Sequence, residues 1–256
     1  MKAPAKNHRP VALVTGASRG IGRVTAMKLA ARGVRIAVHY RRDRVAAAAV
    51  LSSLPGDGHF LIACDLGRRG GAEKLFAATL KKSGRLDLLV NSAGIYETHP
   101  IGEVKFAAWQ KAWDRALAIN LLAPTHLTFL ASEHMSHHGG GRIINVSSRG
   151  AYGGQTRTAA YSAAKAGLNS MSQSFARSVA AEGVLVFVVA PSWVDTDMAA
   201  PHIHGPRKKE ILEGIPLGRV TTPDEVASTI AWLALDAPAA MTGAIVDING
   251  AVHLRH

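Results

Sequence analysis

A single cysteine, Cys64, stands in 256 residues. One thiol cannot close an intramolecular disulfide or build a cysteine-rich zinc centre, so a reducing cytoplasm is the expected compartment. No apolar run reaches the ~20 residues that a membrane-spanning helix needs. The opening MKAPAKNHRP is basic but lacks the apolar stretch of a secretory signal. Aromatic residues make up 5% of the chain and do not interleave with its cations, which speaks against a base-stacking nucleic-acid surface. Acids are scarce: 18 Asp+Glu face 30 Lys+Arg, for a net charge of +12. The basic residues are scattered in runs of three at most, such as Arg207-Lys208-Lys209. That surplus suits phosphates, carboxylates or an acidic carrier, and neither nucleic acid nor membrane is expected as a partner. Repeats, low-complexity tracts and linkers are missing too. One domain over residues 10–256 is therefore expected, preceded by a loose arm at 1–9.

What is present is an alternation of short apolar runs and helix-forming segments. Val11–Thr15, Val34–Tyr40, Phe60–Cys64, Leu86–Val90, Arg142–Ser147, Val184–Ala190 and Ala244–Ile248 read as strands. Between them lie helical stretches at Ile21–Arg32, Arg44–Leu54, Gly71–Lys82, Phe106–His137, Ala159–Glu182 and Pro223–Leu235. Strands that are apolar throughout are buried on both faces. The pattern predicts an α/β fold with a doubly wound parallel sheet of about seven strands, helices on both sides. Ligands of such sheets sit at the carboxyl ends of the strands.

Thr15-Gly16-Ala17-Ser18-Arg19-Gly20-Ile21-Gly22 joins the first strand to the first helix. Glycines there admit positive φ and close approach of an anion, and the helix start offers unpaired N–H groups to a pyrophosphate. A tight turn without a ligand would leave the same pattern. The second strand ends Tyr40-Arg41-Arg42, with no acid before Asp43. An acid near that strand end binds a ribose 2′-hydroxyl, whereas arginine accommodates a 2′-phosphate. NADP(H) is the expected cofactor, with Arg19 able to reach the same phosphate. A solvated helix entry is the alternative. Asp65-Leu66 follows the third strand and Asn91-Ser92-Ala93-Gly94 the fourth. Both fit cofactor contacts, and both fit ordinary turn chemistry.

Tyr161-Ser162-Ala163-Ala164-Lys165 places a phenol and an ammonium one turn apart on a helix face. An adjacent ammonium stabilises phenolate, which would tune the tyrosine for proton transfer to a carbonyl. Most isolated pairs of this kind are surface pairs. Ser147 and Ser148 end the strand before that helix. Asn120 lies inside the long helical stretch, and Pro124 four residues later has no N–H for its carbonyl. The freed carbonyl and the carboxamide make either a water site or an ordinary hydrated kink.

Taken in order at strand ends, these motifs resemble the short-chain dehydrogenase/reductase family from Val11 to about Gly250. The resemblance rests on TGASRGIG at Thr15–Gly22, Asp65, NSAG at Asn91–Gly94, Asn120, Ser148, YSAAK at Tyr161–Lys165, and Pro191-Ser192-Trp193-Val194-Asp195-Thr196. It implies a Rossmann-type fold and a catalytic set of Asn120, Ser148, Tyr161 and Lys165. Tyr161 would be the general acid in reduction, and Ser148 would polarise the carbonyl. Lys165 would lower the tyrosine pKa and hold the nicotinamide ribose, and Asn120 would hold a relay water. The cofactor contacts implied are Gly16, Ser18, Arg19, Gly20, Ile21, Gly22, Tyr40, Arg41, Arg42, Asp65, Leu66, Asn91, Ala93, Gly94, Tyr161, Lys165, Pro191, Val194 and Thr196. No metal is implied, and His202 with His204 lacks a third ligand.

Three departures stand out: Ser92 for a second Asn, Ser192 for the usual glycine after Pro191, and Asn249-Gly250 for a late Gly-Gly. None removes a reactive group. The expected activity is reduction of a carbonyl to a secondary alcohol with NADP(H). Within the family the pattern is most similar to 3-oxoacyl-(acyl-carrier-protein) reductases, so the substrate is a small-molecule or thioester carbonyl. Alternatives are another small carbonyl or alcohol, such as a sugar, diketone or steroid, and a non-catalytic dinucleotide-sensing regulator. A substrate lid is expected at about 197–214. A homotetramer is expected, from the resemblance and from the length and apolar outer faces of the helices at Phe106–His137 and Ala159–Glu182.

Overall fold

The computed structural model describes residues 9–255. Seven strands are β1 (Val11–Val14), β2 (Arg35–Tyr40), β3 (Phe60–Ala63), β4 (Leu88–Asn91), β5 (Gly141–Val146), β6 (Val184–Pro191) and β7 (Ile245–Ile248). They form one sheet in the order β3-β2-β1-β4-β5-β6-β7, with every pairing parallel. The order reverses between β1 and β4, and the crevice above that reversal is where such sheets bind ligands.

The apolar strands divide their side chains between two cores. Val14, Val38, Val90, Ile144 and Val189 pack with α1 (Gly20–Ala31), α2 (Arg44–Ser53) and α9 (Pro223–Leu235) on one face. Leu13, Ala37, Leu89, Ile143 and Val186 face α3 (Gly71–Ser83), α5 (Ala123–His137) and α6 (Ala159–Val179) on the other. This alternation of neighbours explains why no strand shows a polar face. α9 is launched by a capping box between Thr222 and Glu225, with Pro223 in its first turn, which satisfies N–H groups that the helix start leaves unpaired.

The expected long helix at Phe106–His137 is three pieces. α4 (Phe106–Leu117) passes into a π-helical turn at Ala118–Leu122 and then into α5. The cause lies in Pro124, which cannot donate back to the Asn120 carbonyl; the chain widens by one residue there instead of breaking. One other expectation needs correction. Arg9, assigned to the loose arm, is tied down: its Nε donates to the Gly33 carbonyl at 2.8 Å and its guanidinium pairs with Asp57. The remainder of that arm, residues 1–8, lies outside the described residues. The segment 197–214 is built from two short helices, α7 (Ala200–Ile203) and α8 (Lys208–Glu213). Ala199, Ile203, Ile211 and Ile215 give it a small core of its own, packed against Trp193, Val220 and Val252.

Candidate active site

The glycine turn is shaped by contacts that a Cβ would break. Gly16 has φ +66°, and a Cβ there would sit 2.9 Å from the Ala93 Cα; at Gly22 it would meet the Gly16 carbonyl oxygen at 2.5 Å. Thr15 Oγ1 accepts from the N–H groups of both Ser92 and Ala93, at 2.9 and 3.0 Å. The first and fourth strand exits are thereby locked together. α1 begins with no side-chain cap at Arg19 and no acid in its first turn. Its leading N–H groups therefore keep their positive character for an anion. A space at Gly20 on Thr196, 3.4 Å from a would-be Cβ, brings the β6 exit to the same place.

A buried histidine, which the sequence argument passed over, holds this turn. His39 Nδ1 accepts from the Gly16 N–H at 3.1 Å, and its Nε2 lies 3.1 Å from the Cys64 carbonyl. An imidazole that accepts through one nitrogen and donates through the other is neutral. Burial is the main cause that brings its pKa down to about 4. Nothing in VRIAVHY distinguishes His39 from a core filler, because its partners are backbone groups of two other loops.

At the second strand exit Tyr40 is buried in the core, whereas Arg41 and Arg42 are exposed. They border a depression of about 420 Å³ together with Cys64, Asp65, Arg68 and Lys74. Asp43, the acid nearest to that exit, is spent: its Oδ1 caps α2 by accepting from the Ala46 N–H at 2.9 Å. Asp65 accepts from the Gly67 N–H at 3.0 Å and lies 3.8 Å from Arg68. The side chains of Ile21 and Leu66 pack in the two cores, so their offer to a cofactor is main chain. Asn91 differs most from expectation. Its carboxamide turns into the interior, where Nδ2 donates to Asn145 Oδ1 at 2.8 Å and Oδ1 is sealed from solvent. Ser192, the departure from glycine, sits in backbone without positive φ and donates its N–H to the Ile248 carbonyl, so the substitution costs no strain there.

The serine pair ending β5 is divided by geometry. Ser147 Oγ is buried and reaches the Lys165 carbonyl at 3.4 Å. Ser148 Oγ accepts from the Gly150 N–H at 3.1 Å and lies near enough to the Tyr161 phenol to favour its ionised form. Lys165 is 6% exposed, and its Nζ donates to the Val146 carbonyl at 2.7 Å, 5.8 Å from the centre of the Tyr161 ring. An ammonium one helical turn away favours phenolate and would lower the phenol pKa. Burial outweighs it: Tyr161 is pushed up to about 12, opposed by the nearby Ser148 hydroxyl, and burial brings Lys165 down to about 8. Asn120 is fully buried, and both ends of its carboxamide hold the main chain of Ile95, at 2.9 and 3.0 Å. Its main-chain carbonyl faces Pro124, which has no N–H to donate to it.

Over the phenol lies an aromatic wall absent from the expected site. The Tyr96 ring meets Tyr161 edge-on at 5.0 Å, and Trp193 and His202 meet Tyr96 at 6.3 and 5.5 Å. His202 arrives on α7, which brings this part of the segment 197–214 against Tyr96. Residues this far apart in the chain carry no shared spacing that would have paired them.

A family model described as enoyl-(acyl carrier protein) reductase matches residues 16–253. The chain belongs to the short-chain dehydrogenase/reductase family. It is 39% identical over 243 residues to a 3-oxoacyl-(acyl-carrier-protein) reductase from Synechocystis sp., covering 94% of this chain and 95% of the relative. It is 35% identical to a D-threitol dehydrogenase from Mycolicibacterium smegmatis, covering 94% and 91%. A crystal structure of a dehydrogenase/reductase from Sinorhizobium meliloti superposes with a TM-score of 0.85 at 33% identity, covering 96% of this chain and 95% of that one. The protein is thus an oxidoreductase of a family that works with nicotinamide dinucleotides, and the expected Rossmann-type sheet is present. Among the described residues there is no cluster of metal-ligating side chains and no helix long and apolar enough to cross a membrane.

Proposed function

We propose that this chain is an NADP(H)-dependent carbonyl reductase in which Tyr161 is the proton donor. The observation that carries the reading is the Tyr161–Ser148 hydroxyl pair, set beside buried Lys165 at the exit of β5. The glycine cradle fits a dinucleotide, since a Cβ at Gly16 or Gly22 would fill it and the α1 N-terminus is uncapped. Gly16, Gly20, Arg19 and the α1 N–H groups would hold the pyrophosphate side, and Lys165 the ribose next to the nicotinamide. When bound, that cofactor supplies the hydride.

The chain's own residues do the rest. Ser148 and Tyr161 offer two hydroxyls to one substrate oxygen, where negative charge develops as the carbonyl is reduced. With its pKa near 12 the Tyr161 phenol is fully protonated at neutral pH, the form a proton donor needs. Lys165, near 8, is mostly charged at pH 7 and stabilises the phenolate left behind. The Asn120 carbonyl would seat a water that returns the proton. Selection of NADP(H) is supported by three features: Arg41 and Arg42 are exposed, Tyr40 stands where an acid would bind a 2′-hydroxyl, and Asp43 is committed to capping α2.

The 39% relative favours a 3-oxoacyl thioester as substrate. The 35% match to D-threitol dehydrogenase favours a second reading, a small polyol or keto sugar. NADPH oxidation should be screened across 3-oxoacyl thioesters, diketones, quinones, keto sugars and steroids. Turnover with any of them that Tyr161→Phe abolishes supports the reading; turnover that survives in Tyr161→Phe refutes it.

A further inference from the structure

Directly after Ser148 the chain places Arg149, in a 3-10 turn at Arg149–Ala151. Its guanidinium carbon lies 6.0 Å from the centre of the Trp193 ring. Trp193 belongs to the aromatic wall that also holds Tyr96 against Tyr161. Two rings, Trp193 and Tyr96, therefore lie between this cation and the proton donor.

Two other arginines at this end of the sheet are already neutralised. Arg157 forks onto Glu103 with both contacts at 2.7 Å, and Arg207 onto Glu210 at 2.9 and 2.7 Å. Arg149 is half-buried, and among the described residues no carboxylate pairs with it and no acceptor meets its N–H groups. Burial lowers its pKa, which marks the loss of hydration. Trp193 compensates only the flat face of the guanidinium. The in-plane N–H edge keeps partial access to solvent and has no protein acceptor among the described residues, so a ligand can still supply one. A planar fork matches a carboxylate, which can take two parallel hydrogen bonds. Tyr96, Trp193 and His202 supply an apolar flank for the carbon skeleton between that carboxylate and the reacting carbonyl.

We propose that Arg149 binds a carboxylate of the substrate, so that the compound reduced at Tyr161 is an oxo acid. This rests on the reductase reading above, and it names the substrate class within it. An oxo acid is distinct from the neutral acyl chain of a 3-oxoacyl thioester and from an uncharged keto sugar.

The test measures kcat/KM with NADPH for 4-oxopentanoate and 2-oxo-4-phenylbutanoate, each against its methyl ester. A 3-oxoacyl thioester on an uncharged N-acetylcysteamine handle is the third arm. Wild type should prefer each acid over its ester by about tenfold or more, the size of one charge-assisted contact. In both Arg149→Gln and Arg149→Met that ratio should fall to about one; a ratio is insensitive to partial misfolding of either variant. Equal handling of acid and ester by wild type overturns the proposal. So does a thioester preferred over both acids, or a ratio that neither variant changes. If wild type reduces none of these compounds and no neutral diketone, the reductase reading fails, and Arg149 is judged by binding alone. Calorimetry then compares 4-phenylbutanoate with 4-phenylbutanamide. Tighter binding of the acid, lost in both variants, sustains the carboxylate site; equal binding overturns it.

Discussion

Charging His39 should unfold the protein from its cofactor cradle outward. The imidazole is neutral because Nδ1 accepts from the Gly16 N–H while Nε2 donates to the Cys64 carbonyl. A proton on Nδ1 would set two N–H groups against each other across 3.1 Å. The folded pKa is about 4, against 6.5 for a free histidine, with burial the largest cause. Between those values the unfolded chain binds more protons, so stability is fully present above pH 6.5 and is lost as pH falls toward 4. The whole shift corresponds to about 3 kcal/mol, and about 2 kcal/mol of it is lost between pH 7 and pH 5. Urea unfolding at fixed protein concentration, at pH 7 and pH 5, measures this in wild type and in His39→Gln. Glutamine can keep one acceptor and one donor near the same places but does not titrate. Wild type should lose about 2 kcal/mol more than the variant over that interval. Equal losses in the two proteins would refute the assignment of a neutral, load-carrying imidazole.

Other outcomes follow from the same geometry. Tyr161→Phe should abolish reduction while leaving NADPH affinity nearly unchanged in a fluorescence titration; more than a tenth of wild-type kcat would remove Tyr161 as donor. Ser148→Ala should lower kcat on the order of 10²-fold, as for one lost oxyanion contact, whereas Ser147→Ala, whose hydroxyl faces the Lys165 carbonyl, should not match it. Arg41→Ala should weaken NADPH by about ten- to a hundredfold and leave NADH nearly unmoved, since one charge-assisted contact to a 2′-phosphate disappears. A wild-type preference for NADH, or equal weakening of both cofactors, contradicts that role. Light scattering at micromolar concentration should give a homotetramer, and a monomer would exclude it. The apolar outer faces invoked for this are present only in part. Phe106, Leu122 and Phe129 are exposed along α4, the π-turn and α5, but α6 exposes small and polar residues such as Ser170, Gln173 and Ser174.

Much of this molecule is local and was therefore readable in the chain itself. About seven strands were expected and seven are present among the described residues, because strands buried on both faces read as near-continuous apolar runs. The glycine turn was readable because it is one short stretch whose backbone admits no Cβ at Gly16 or Gly22. Tyr161 and Lys165 lie one turn apart, so their shared face is a property of the helix alone. Pro124 announced a disturbance at Asn120, although only the fold showed that the helix widens into a π-turn and continues.

What the tertiary structure alone decided involves partners distant in sequence, or burial. It turned the Asn91 carboxamide inward to Asn145, 54 residues away, and set both ends of Asn120 on Ile95. It made His39 a support for a turn 23 residues before it, and it brought Tyr96, Trp193 and His202 together over Tyr161. It also reversed the expected direction of the Tyr161 pKa, since desolvation depends on everything packed around a group and spacing reports only its neighbours along the helix. Arg149 shows the same division: as one basic residue among many it carries no signal, and it gains one only when the fold leaves it without an acceptor among the described residues.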